Sequence, residues 1–331
     1  MEDIHPINTN GVSVIICCYN SAARLPETLK HLQLQVVPQN FPWEIIIVNN
    51  ASKDDTVACA QAIWNKEMPY NASCRIIDEH KPGQMHARKT GVREARYEYI
   101  VFCDDDNWLN KNYIFLSHQM MHNNSSIGAG GGQNTPFTDG DTYPEWFETY
   151  KDKYALGIPA SASGDVSYKG FVLGAGLVTR KSLFLLIFDD KYPSLLNGRN
   201  GEQLSTGDDF EYCKRVLLWG YTLYYEDRLS LVHFIPKERL TLSYRDRLME
   251  GITNAGKVLN VYDDAIQAKR KIKNKNKWRL FLLTPFRILF IRMGLSKRNI
   301  LDEKLVLFYS SPFFPKNEPV KTAIKRFLNG I

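Results

Sequence analysis

The sequence is poor in cysteine, has no internal repeat or low-complexity tract, and contains no uninterrupted apolar run long enough to span a membrane. Its six cysteines lack the spacing of metal modules, which excludes a fold held together by such a site. Cys17, Cys18 and Cys103 lie in predicted buried strands, which indicates reduced thiols and a cytosolic protein. With 331 residues, 44% of them hydrophobic, the chain can bury an ordinary core.

Positive charge is present but concentrated in one segment. The net charge is +6, and residues 269–279 alone hold seven basic side chains and no acidic one. This local excess is larger than the net charge of the whole chain, so the rest is close to neutral. Such a distribution argues against a protein that coats nucleic acid. Residues 1–10 lack a basic stretch followed by an apolar core, so no signal peptide is predicted.

Apolar strands and helical segments alternate through the first part of the chain. Continuous apolar runs at 12–18, 43–48, 74–77 and 99–103 are typical of strands covered on both faces, and each precedes a helical pattern. This alternation predicts an α/β fold with a doubly wound, mostly parallel sheet flanked by helices. The alternation stops near residue 125.

The rest of the chain has a less regular pattern. Gly174 and Gly176 interrupt an apolar segment, which indicates backbone that a ligand approaches closely. The other predicted elements are a loop region at 136–170 with a short helix near 146–154, a helix at 206–219, strands at 221–225 and 229–234, and a helix at 240–275. We predict one domain over 1–240, with halves at 10–125 and 126–240, and a helical C-terminal extension over 241–331.

An acidic run directly follows the fourth predicted strand. Asp104, Asp105 and Asp106 repel one another, and a divalent cation such as Mg²⁺ or Mn²⁺ would neutralise them. Ligands of open α/β sheets bind beyond the carboxyl ends of the strands, which is where this run falls. The alternative is a solvated acidic turn that caps the helix predicted to start near Lys111.

Seven short motifs in order resemble the family 2 glycosyltransferases, which are inverting enzymes with the GT-A fold. The motifs are Ser13–Asn20, Ile46–Asp54, Lys81-Pro82-Gly83 with Ala87-Arg88, Asp104–Asp106, Gly174-Ala175-Gly176, Gly207–Glu211 and Val232-His233-Phe234. The similarity covers about residues 13–242 and is strongest to bacterial enzymes that build cell-surface polysaccharides. It implies a nucleotide-sugar-binding half over 10–125 and an acceptor-binding half over 126–240.

The resemblance implies a metal site at the acidic run. Asp104 and Asp106 take the outer positions of the family's DxD motif, so Asp106 would ligate Mn²⁺ or Mg²⁺ through the donor diphosphate. Asp104 or Asp105 would contact the ribose or the metal. His233 matches a histidine that completes the metal site in many relatives. The alternative for His233 is a satisfied histidine at the core or sheet edge.

The resemblance also implies the nucleotide-sugar contacts. Asn50 stands where many relatives carry an aspartate that reads uracil, so a UDP-sugar is favoured as the donor. Arg88 matches a position near the nucleotide or its phosphates; the alternative is a surface arginine paired with an acid such as Glu94. The remaining implied contacts are Cys18, Tyr19, Asn20, Ser52, Gly174, Ala175 and Gly176.

Asp209 matches the catalytic base of the family, and Asp208 is the second candidate. An inverting transfer is one in-line displacement, in which a carboxylate accepts the proton of the acceptor hydroxyl as the new bond forms. The alternative for both residues is capping of the helix that they open. Lys237 and Arg239 could hold the diphosphate, and Trp146, Phe147 and Tyr150 could line the acceptor site.

The C-terminal region carries the membrane prediction. Residues 278–295 are mostly apolar, but three arginines and Pro285 interrupt them, so we predict no transmembrane helix. The basic cluster before this stretch would be attracted by an anionic leaflet. We therefore expect residues 269–295 to hold the protein on the cytoplasmic membrane face, near a glycan or polyprenyl-linked acceptor. The alternative is a helical pair packed on the catalytic domain, or a dimer contact.

These observations together predict a metal-dependent inverting glycosyltransferase, and two rivals remain open. A sugar nucleotidyltransferase normally carries a Gly-rich phosphate loop after the first strand, where this chain has Cys18-Tyr19-Asn20-Ser21. A degenerate transferase that serves as a membrane scaffold would not need the intact Asp106 and Asp209.

Overall fold

The structure is a computed structural model that describes residues 8–64, 72–189, 193–196, 198, 206–272, 275–298 and 300–311. A mixed sheet is its largest feature, with the strand order β3-β2-β1-β4-β8-β6-β9-β5 and β7 paired with β9. The strands are β1 Val12–Cys18, β2 Trp43–Asn49, β3 Ala72–Asp78, β4 Tyr99–Asp104, β5 Asn107–Leu109, β6 Ile127–Phe137, β7 Gly164–Asp165, β8 Val178–Arg180 and β9 Thr222–Phe234.

Helices cover both faces of this sheet and form the C-terminal end. They are α1 Leu25–Gln33, α2 Thr56–Trp64, α3 Gln84–Glu94, α4 Tyr113–Asn123, α5 Phe147–Tyr150, α6 Lys181–Ile187, α7 Asp208–Trp219, α8 Leu242–Ile272, α9 Lys277–Arg292 and α10 Ile300–Ser310, with short 3-10 helices at Lys151–Tyr154 and Lys237–Arg239. The α/β architecture predicted from the alternation is confirmed.

The first four long strands form the parallel half of the sheet. β1 lies between β2 and β4, and Val12 is level with both Trp43 and Tyr99. Successive side chains of β1 point to opposite faces of the sheet. Val14 belongs to the apolar cluster on one face and Ile15 to the apolar cluster on the other. Burial on both faces explains why these strands read as continuous apolar runs. Their predicted positions are confirmed, although β3 is longer than predicted.

The second half of the sheet departs from the prediction. The two short strands expected at 221–225 and 229–234 are one strand, β9, because the ladder with β6 continues past a register shift at residues 226–229. The glycine-rich segment at 128–132 is part of β6. At Gly132 a β-carbon would collide with the backbone of Leu229, so only glycine allows the two strands to approach.

The last three helices pack against one another and on α7. Leu218 of α7 and Tyr262 of α8 share one apolar cluster, and Ile272, Leu280 and Val306 join α8, α9 and α10 in another. The helix predicted at 240–275 is confirmed at Leu242–Ile272. In the part of the chain that the structure describes, no helix is both long and apolar enough to cross a bilayer. The boundary between domain and extension near residue 240 stays a prediction.

Candidate active site

The carboxyl ends of β1, β2 and β4 meet at one edge of the sheet, and the loops that follow them are tied together. The backbone N–H of Asn20 donates to the Ser52 hydroxyl at 3.1 Å, and the Asn20 side-chain oxygen accepts from the N–H of Lys53 at 2.8 Å. Asn20 and Ala51 both have left-handed backbone, with φ of 51° and 56°. Such conformations are unfavourable for residues other than glycine and are often found at functional sites.

The same loops present two further predicted residues. The carbonyl of Cys18 accepts the N–H of Asn50 at 2.8 Å, so the end of β1 is tied to the end of β2. Tyr19 follows Cys18 with 42% of its surface exposed, which leaves a flat aromatic face at this edge. Burial raises the pKa of the Cys18 thiol well above its ordinary value, so this cysteine serves packing and backbone contacts rather than nucleophilic chemistry.

The side chain of Asn50 shapes the turn before α3. Its amide nitrogen donates to the carbonyls of Glu79 at 3.0 Å and Lys81 at 2.8 Å, and its oxygen accepts the N–H of Gly83 at 2.8 Å. Both N–H groups are therefore occupied, and contact with a base is left to the second lone pair of Oδ1. Reading of uracil by Asn50 stays a prediction.

The three aspartates after β4 point to different partners. Asp105 is bound by the guanidinium of Arg24, with the shorter contact at 2.6 Å, and its carbonyl accepts the Thr28 hydroxyl at 2.9 Å. Asp105 therefore fastens the acidic turn to α1. Asp104 is the most exposed of the three, and it receives a 3.5 Å contact from Gln84. Arg24 was not among the predicted residues. Its partner Asp105 is 81 positions away, and nothing in the sequence around Arg24 indicates this pairing.

Asp106 is buried between His233 and Arg239. The Arg239 guanidinium donates to one carboxylate oxygen at 2.8 Å, and Nε2 of His233 lies 3.5 Å from the other. On its far side, His233 Nδ1 contacts the Tyr154 carbonyl at 2.9 Å. A carbonyl only accepts, so Nδ1 carries the proton of this hydrogen bond, and Nε2 is the ring nitrogen that faces Asp106.

This arrangement fits a cation between Asp106 and His233. The Asp106 carboxylate and Nε2 of His233 lie 3.5 Å apart, so one ion could be bound by both, and a fixed Nδ1–H donor is the usual support of a metal-ligating histidine. Among the described residues, however, no three His, Cys, Asp or Glu side chains cluster closely enough to hold a metal by themselves. Asp106 and His233 would therefore supply two donors, and substrate phosphate oxygens would supply others.

Arg88 joins the acidic turn to the start of α7. Its guanidinium donates to Asp208 at 2.6 Å and lies 4.0 Å from Asp104. Burial lowers the pKa of Arg88, but the carboxylates of Asp208 and Asp104 outweigh burial and hold that pKa above its ordinary value. The alternative in which Arg88 is a surface residue paired with Glu94 is wrong, because the side chain is buried and its partner is Asp208.

Asp209 begins the same helix but has a different environment. Removal from bulk water and the adjacent Asp208 carboxylate raise the pKa of Asp209 from 3.8 to about 7, although Arg88 and a 2.9 Å hydrogen bond from the Phe210 N–H oppose this. A carboxyl group that titrates near neutral pH suits general base catalysis. Asp208 is already held by Arg88, so Asp209 is the better of the two candidates.

The Gly174-Ala175-Gly176 loop packs against this carboxylate. A β-carbon on Gly174 would collide with the Asp209 carboxylate, and one on Gly176 would collide with the Tyr113 hydroxyl, which donates to the Gly176 carbonyl at 2.7 Å. The Ala175 carbonyl accepts from Asn134 at 3.4 Å. Both glycines are thus explained by side chains of the protein itself, whereas the sequence predicted close approach by a ligand.

Glu211, the last acid of this motif, has a structural place. It is fully buried, pairs with Arg215 at 2.7 Å, and accepts hydrogen bonds from Tyr262 on α8 and from the backbone of Leu195 and Leu196. This network holds α7 to α8 and fixes the segment beside the start of α7. Tyr262 and the segment at 194–196 could not be identified from local sequence, because their partners are distant in the chain.

The three aromatic residues predicted to line the acceptor site lie in α5 or directly before it: Trp146, Phe147 and Tyr150. Phe147 is buried in an apolar cluster with Tyr154 and Tyr244, so packing explains it. Trp146 and Tyr150 flank the guanidinium of Arg245, which lies 5.4 Å and 5.2 Å from their ring centres. Their contact with an acceptor stays a prediction.

Comparison with known proteins finds sequence similarity in the first half of the chain. Residues 13–158 match the family model described as Glycosyl transferase family 2. The poly-beta-1,6-N-acetyl-D-glucosamine synthase of Staphylococcus epidermidis is 29% identical over 123 residues, which are 37% of this chain and 28% of that protein. The match thus spans less than a third of the length of this curated relative.

Two solved structures resemble the fold. The S. aureus TarS 1–349 structure superposes with a TM-score of 0.51 at 15% identity, covering 97% of this chain and 92% of TarS 1–349. GalNAc-T7 superposes with a TM-score of 0.52 at 15% identity, covering 79% of this chain and 50% of that one. The chain therefore has the GT-A fold, and its residues 13–158 are similar to glycosyltransferase family 2.

Proposed function

We propose that the protein is a metal-dependent inverting glycosyltransferase that moves a sugar from a nucleotide donor to a glycan acceptor. The observation that carries the proposal is the bridge made by Arg88. Its guanidinium contacts Asp208 beside the candidate base and lies 4.0 Å from Asp104 in the acidic run that carries the candidate metal site. A displacement at an anomeric carbon needs these two functions at separate places within one cleft.

Asp209 would act as the base. In the proposed step, the acceptor oxygen forms a bond to the anomeric carbon while the bond from that carbon to the donor phosphate breaks. The proton of the acceptor hydroxyl passes to the Asp209 carboxylate, and the bonding electron pair leaves with the diphosphate. A pKa of about 7 leaves a large ionised fraction at neutral pH, together with greater basicity than an ordinary aspartate. Gly174 leaves room for the carboxylate in this position.

Asp106 and His233 would hold Mn²⁺ or Mg²⁺, and the bound ion would stabilise the charge of the departing diphosphate. The chain's own cations lie beside them. Arg239 contacts Asp106 at 2.8 Å and can reach toward a phosphate from there, and Lys237 follows β9 on an exposed turn. Asp105 keeps the acidic turn in place through Arg24 rather than facing the donor. The GalNAc-T7 structure was solved with UDP, GalNAc and Mn²⁺, which supports the use of a divalent ion by this protein.

A UDP-sugar is the donor that we propose. A structure of TarS 1–349 that superposes with a TM-score of 0.51 was solved in complex with UDP-GlcNAc. In this chain the base would lie over the loops after β1 and β2, near Tyr19, Asn20, Asn50 and Ser52, and the phosphates would lie toward Asp104 and Arg88. We call the sheet edge formed by the ends of β1, β2 and β4 the nucleotide edge. The hydrogen bonds between its loops would hold it in place before the donor binds.

The acceptor that we propose is a growing glycan, free or linked to a polyprenyl carrier, in cell-surface polysaccharide synthesis. The similarity to the S. epidermidis poly-beta-1,6-N-acetyl-D-glucosamine synthase supports a glycan acceptor. A lipid-linked acceptor places the enzyme on the cytoplasmic face of the cell membrane. We assign this placement to the segment 269–295, where a basic cluster is followed by a mostly apolar stretch.

Calorimetric titration with UDP, in the presence and absence of Mn²⁺, tests the proposal. We expect binding by the wild type that strengthens with Mn²⁺ and a loss of that strengthening in Asp106→Ala. Asp227→Ala, which removes an exposed carboxylate in β9, is the matched control and should bind as the wild type does. Absence of UDP binding under both conditions would contradict the UDP assignment.

The scaffold alternative is separated by a second variant. Asp209→Asn keeps the size of the side chain and removes its basicity. Loss of sugar transfer with fold and UDP binding intact would exclude a protein without chemistry. Unchanged transfer in this variant would contradict the role of Asp209.

A further inference from the structure

Helix α9 has two apolar faces, and the part of the chain that the structure describes covers only one of them. Leu280 and Thr284 are buried against the neighbouring helices. On the opposite side five large apolar side chains recur at intervals of three or four residues, and each exposes between 53% and 62% of its surface: Trp278, Leu282, Phe286, Leu289 and Met293. This spacing places them in one row along the helix, which we call the α9 stripe. The sequence did not reveal this row, because the covered face is apolar as well.

The segment that contains the α9 stripe is mainly basic. Residues 265–301 contain eleven basic side chains and no acidic one, against a net charge of +6 for the whole chain. Three of these basic groups, on Lys271, Arg287 and Arg298, pair with Asp302 or Glu303 of α10. The rest of the protein is therefore net negative. Lys275, Lys277 and Arg279 are exposed at the start of α9, and Arg292 and Lys297 are exposed at its end. A continuous apolar row with basic groups at both ends is typical of helices that lie in a membrane surface.

We propose that the α9 stripe inserts into the surface of a membrane that contains anionic phospholipids, with α9 parallel to the membrane plane. This rests on the membrane placement within the proposed function and assigns it to one face of one helix. The basic groups at both ends would contact lipid phosphates, while the five apolar side chains enter the boundary between headgroups and acyl chains. At 16 residues, α9 is too short to cross the bilayer and long enough to lie on it.

A second copy of the chain is a less suitable occupant of the α9 stripe. A two-fold dimer brings the same patch of both copies together, so basic groups would face basic groups. Anionic lipid provides the opposite charge together with an apolar phase. The charge distribution therefore favours lipid over self-association.

Vesicle co-sedimentation of the full chain tests the proposal. The probes are vesicles of phosphatidylcholine alone and vesicles that also contain phosphatidylglycerol. We expect the wild type to bind the anionic vesicles preferentially. Replacing Leu282, Phe286 and Leu289 together with Gln should weaken that binding roughly tenfold or more. The matched control replaces Leu34, Val36 and Ile158 with Gln, which removes three equally exposed apolar side chains elsewhere and should leave binding unchanged.

The outcomes separate this inference from the proposed function. UDP binding by both triple variants is measured first and establishes that they are folded. Wild-type binding that both triple variants retain would overturn the assignment to the α9 stripe and leave the membrane placement standing. If the wild type binds neither kind of vesicle, both the assignment to the α9 stripe and the membrane placement are overturned. The proposed transferase chemistry is not affected by that result. A dimer in solution that only the stripe variant disrupts would identify a second copy as the occupant and overturn the proposal.

Discussion

Arg239 Nη1 lies 2.8 Å from Asp106 Oδ2, so the carboxylate that we assign to the metal is already paired with a cation of the protein itself. His233 faces the other oxygen of Asp106. A divalent ion on Asp106 and the guanidinium of Arg239 would therefore compete for the same negative charge. When a metal binds, Arg239 would be released toward the donor phosphates.

Arg239→Gln should consequently bind Mn²⁺ more tightly than the wild type when no nucleotide is present. Removing a competing positive charge within hydrogen-bonding distance favours the ion, and we expect a gain of roughly tenfold. Calorimetry or Mn²⁺ electron paramagnetic resonance would measure it. Arg228→Gln, which removes an arginine paired with Glu226 outside the cleft, is the control. Weaker Mn²⁺ binding in Arg239→Gln would show that Arg239 supports the site instead of competing for it.

Arg88→Met should be strongly destabilising. The variant leaves Asp208 buried without its cation and removes the positive charge near Asp104, and breaking a buried pair in this way costs about 3–5 kcal/mol in the free energy of unfolding. Urea unfolding at pH 7.5 would measure the loss. In Lys30→Met the lost pair with Glu27 is exposed, so we expect a cost of about 1 kcal/mol or less. Adding Asp208→Asn to Arg88→Met should recover part of the stability, and no recovery would contradict the pairing.

Asp209→Asn should lose activity and gain stability. Loss of a general base lowers the transfer rate by roughly 10²–10⁴-fold. In the wild type the folded state holds a proton on Asp209 up to about pH 7, whereas the unfolded chain releases it near pH 4. The free energy of unfolding therefore falls as the pH rises between these values, and asparagine does not titrate.

Thermal unfolding at pH 5 and pH 8 measures this difference without nucleotide or metal. We expect the melting temperature of Asp209→Asn, relative to the wild type, to be higher at pH 8 than at pH 5. The wild-type transfer rate should rise with pH through about 7 as Asp209 ionises. A relative melting temperature that does not change with pH would show that Asp209 titrates at its ordinary value. Asp227→Asn, an exposed aspartate, controls for the substitution itself.

Gly174→Ala should impair catalysis more than other glycine substitutions nearby. The new methyl group would overlap the Asp209 carboxylate and displace the base. Gly131→Ala is the control, because its β-carbon would meet Leu173 and Val172 at ordinary distances of 3.6 Å. Steady-state rates at saturating donor would compare the two. Equal rates in both variants would mean that the contact between Gly174 and Asp209 has no catalytic importance.

Local pattern predicted the first half of the sheet well and the second half poorly. The apolar runs of β1, β2 and β4 mark strands that are buried on both faces, and such runs can be read without knowing their neighbours. The single strand β9 could not be read in this way. It passes through Glu226, Asp227 and Arg228, and only its ladder with β6 keeps both ends in one strand.

In the site, the functional residue types could be predicted from the sequence, but their pairing could not. The acidic run and the acids at the start of α7 could be identified from the sequence. Their partners could not, because Arg24, Arg88 and Arg239 come from distant parts of the chain. The resemblance assigned Asn50 to the base, whereas its hydrogen bonds to the turn at 79–83 depend on three-dimensional contact.

The sheet topology also sets an order in which the protein can assemble. β1 to β4 pair within residues 12–104, whereas β6 needs β9, and Ile127 is level with Thr222. The nucleotide edge can thus form early in synthesis, while the helix that carries Asp209 gains its support only when β9 has emerged. In refolding, pulse-labelled hydrogen exchange should protect β1 and β2 before β6 and β9. The chain would then acquire its nucleotide edge before its catalytic base.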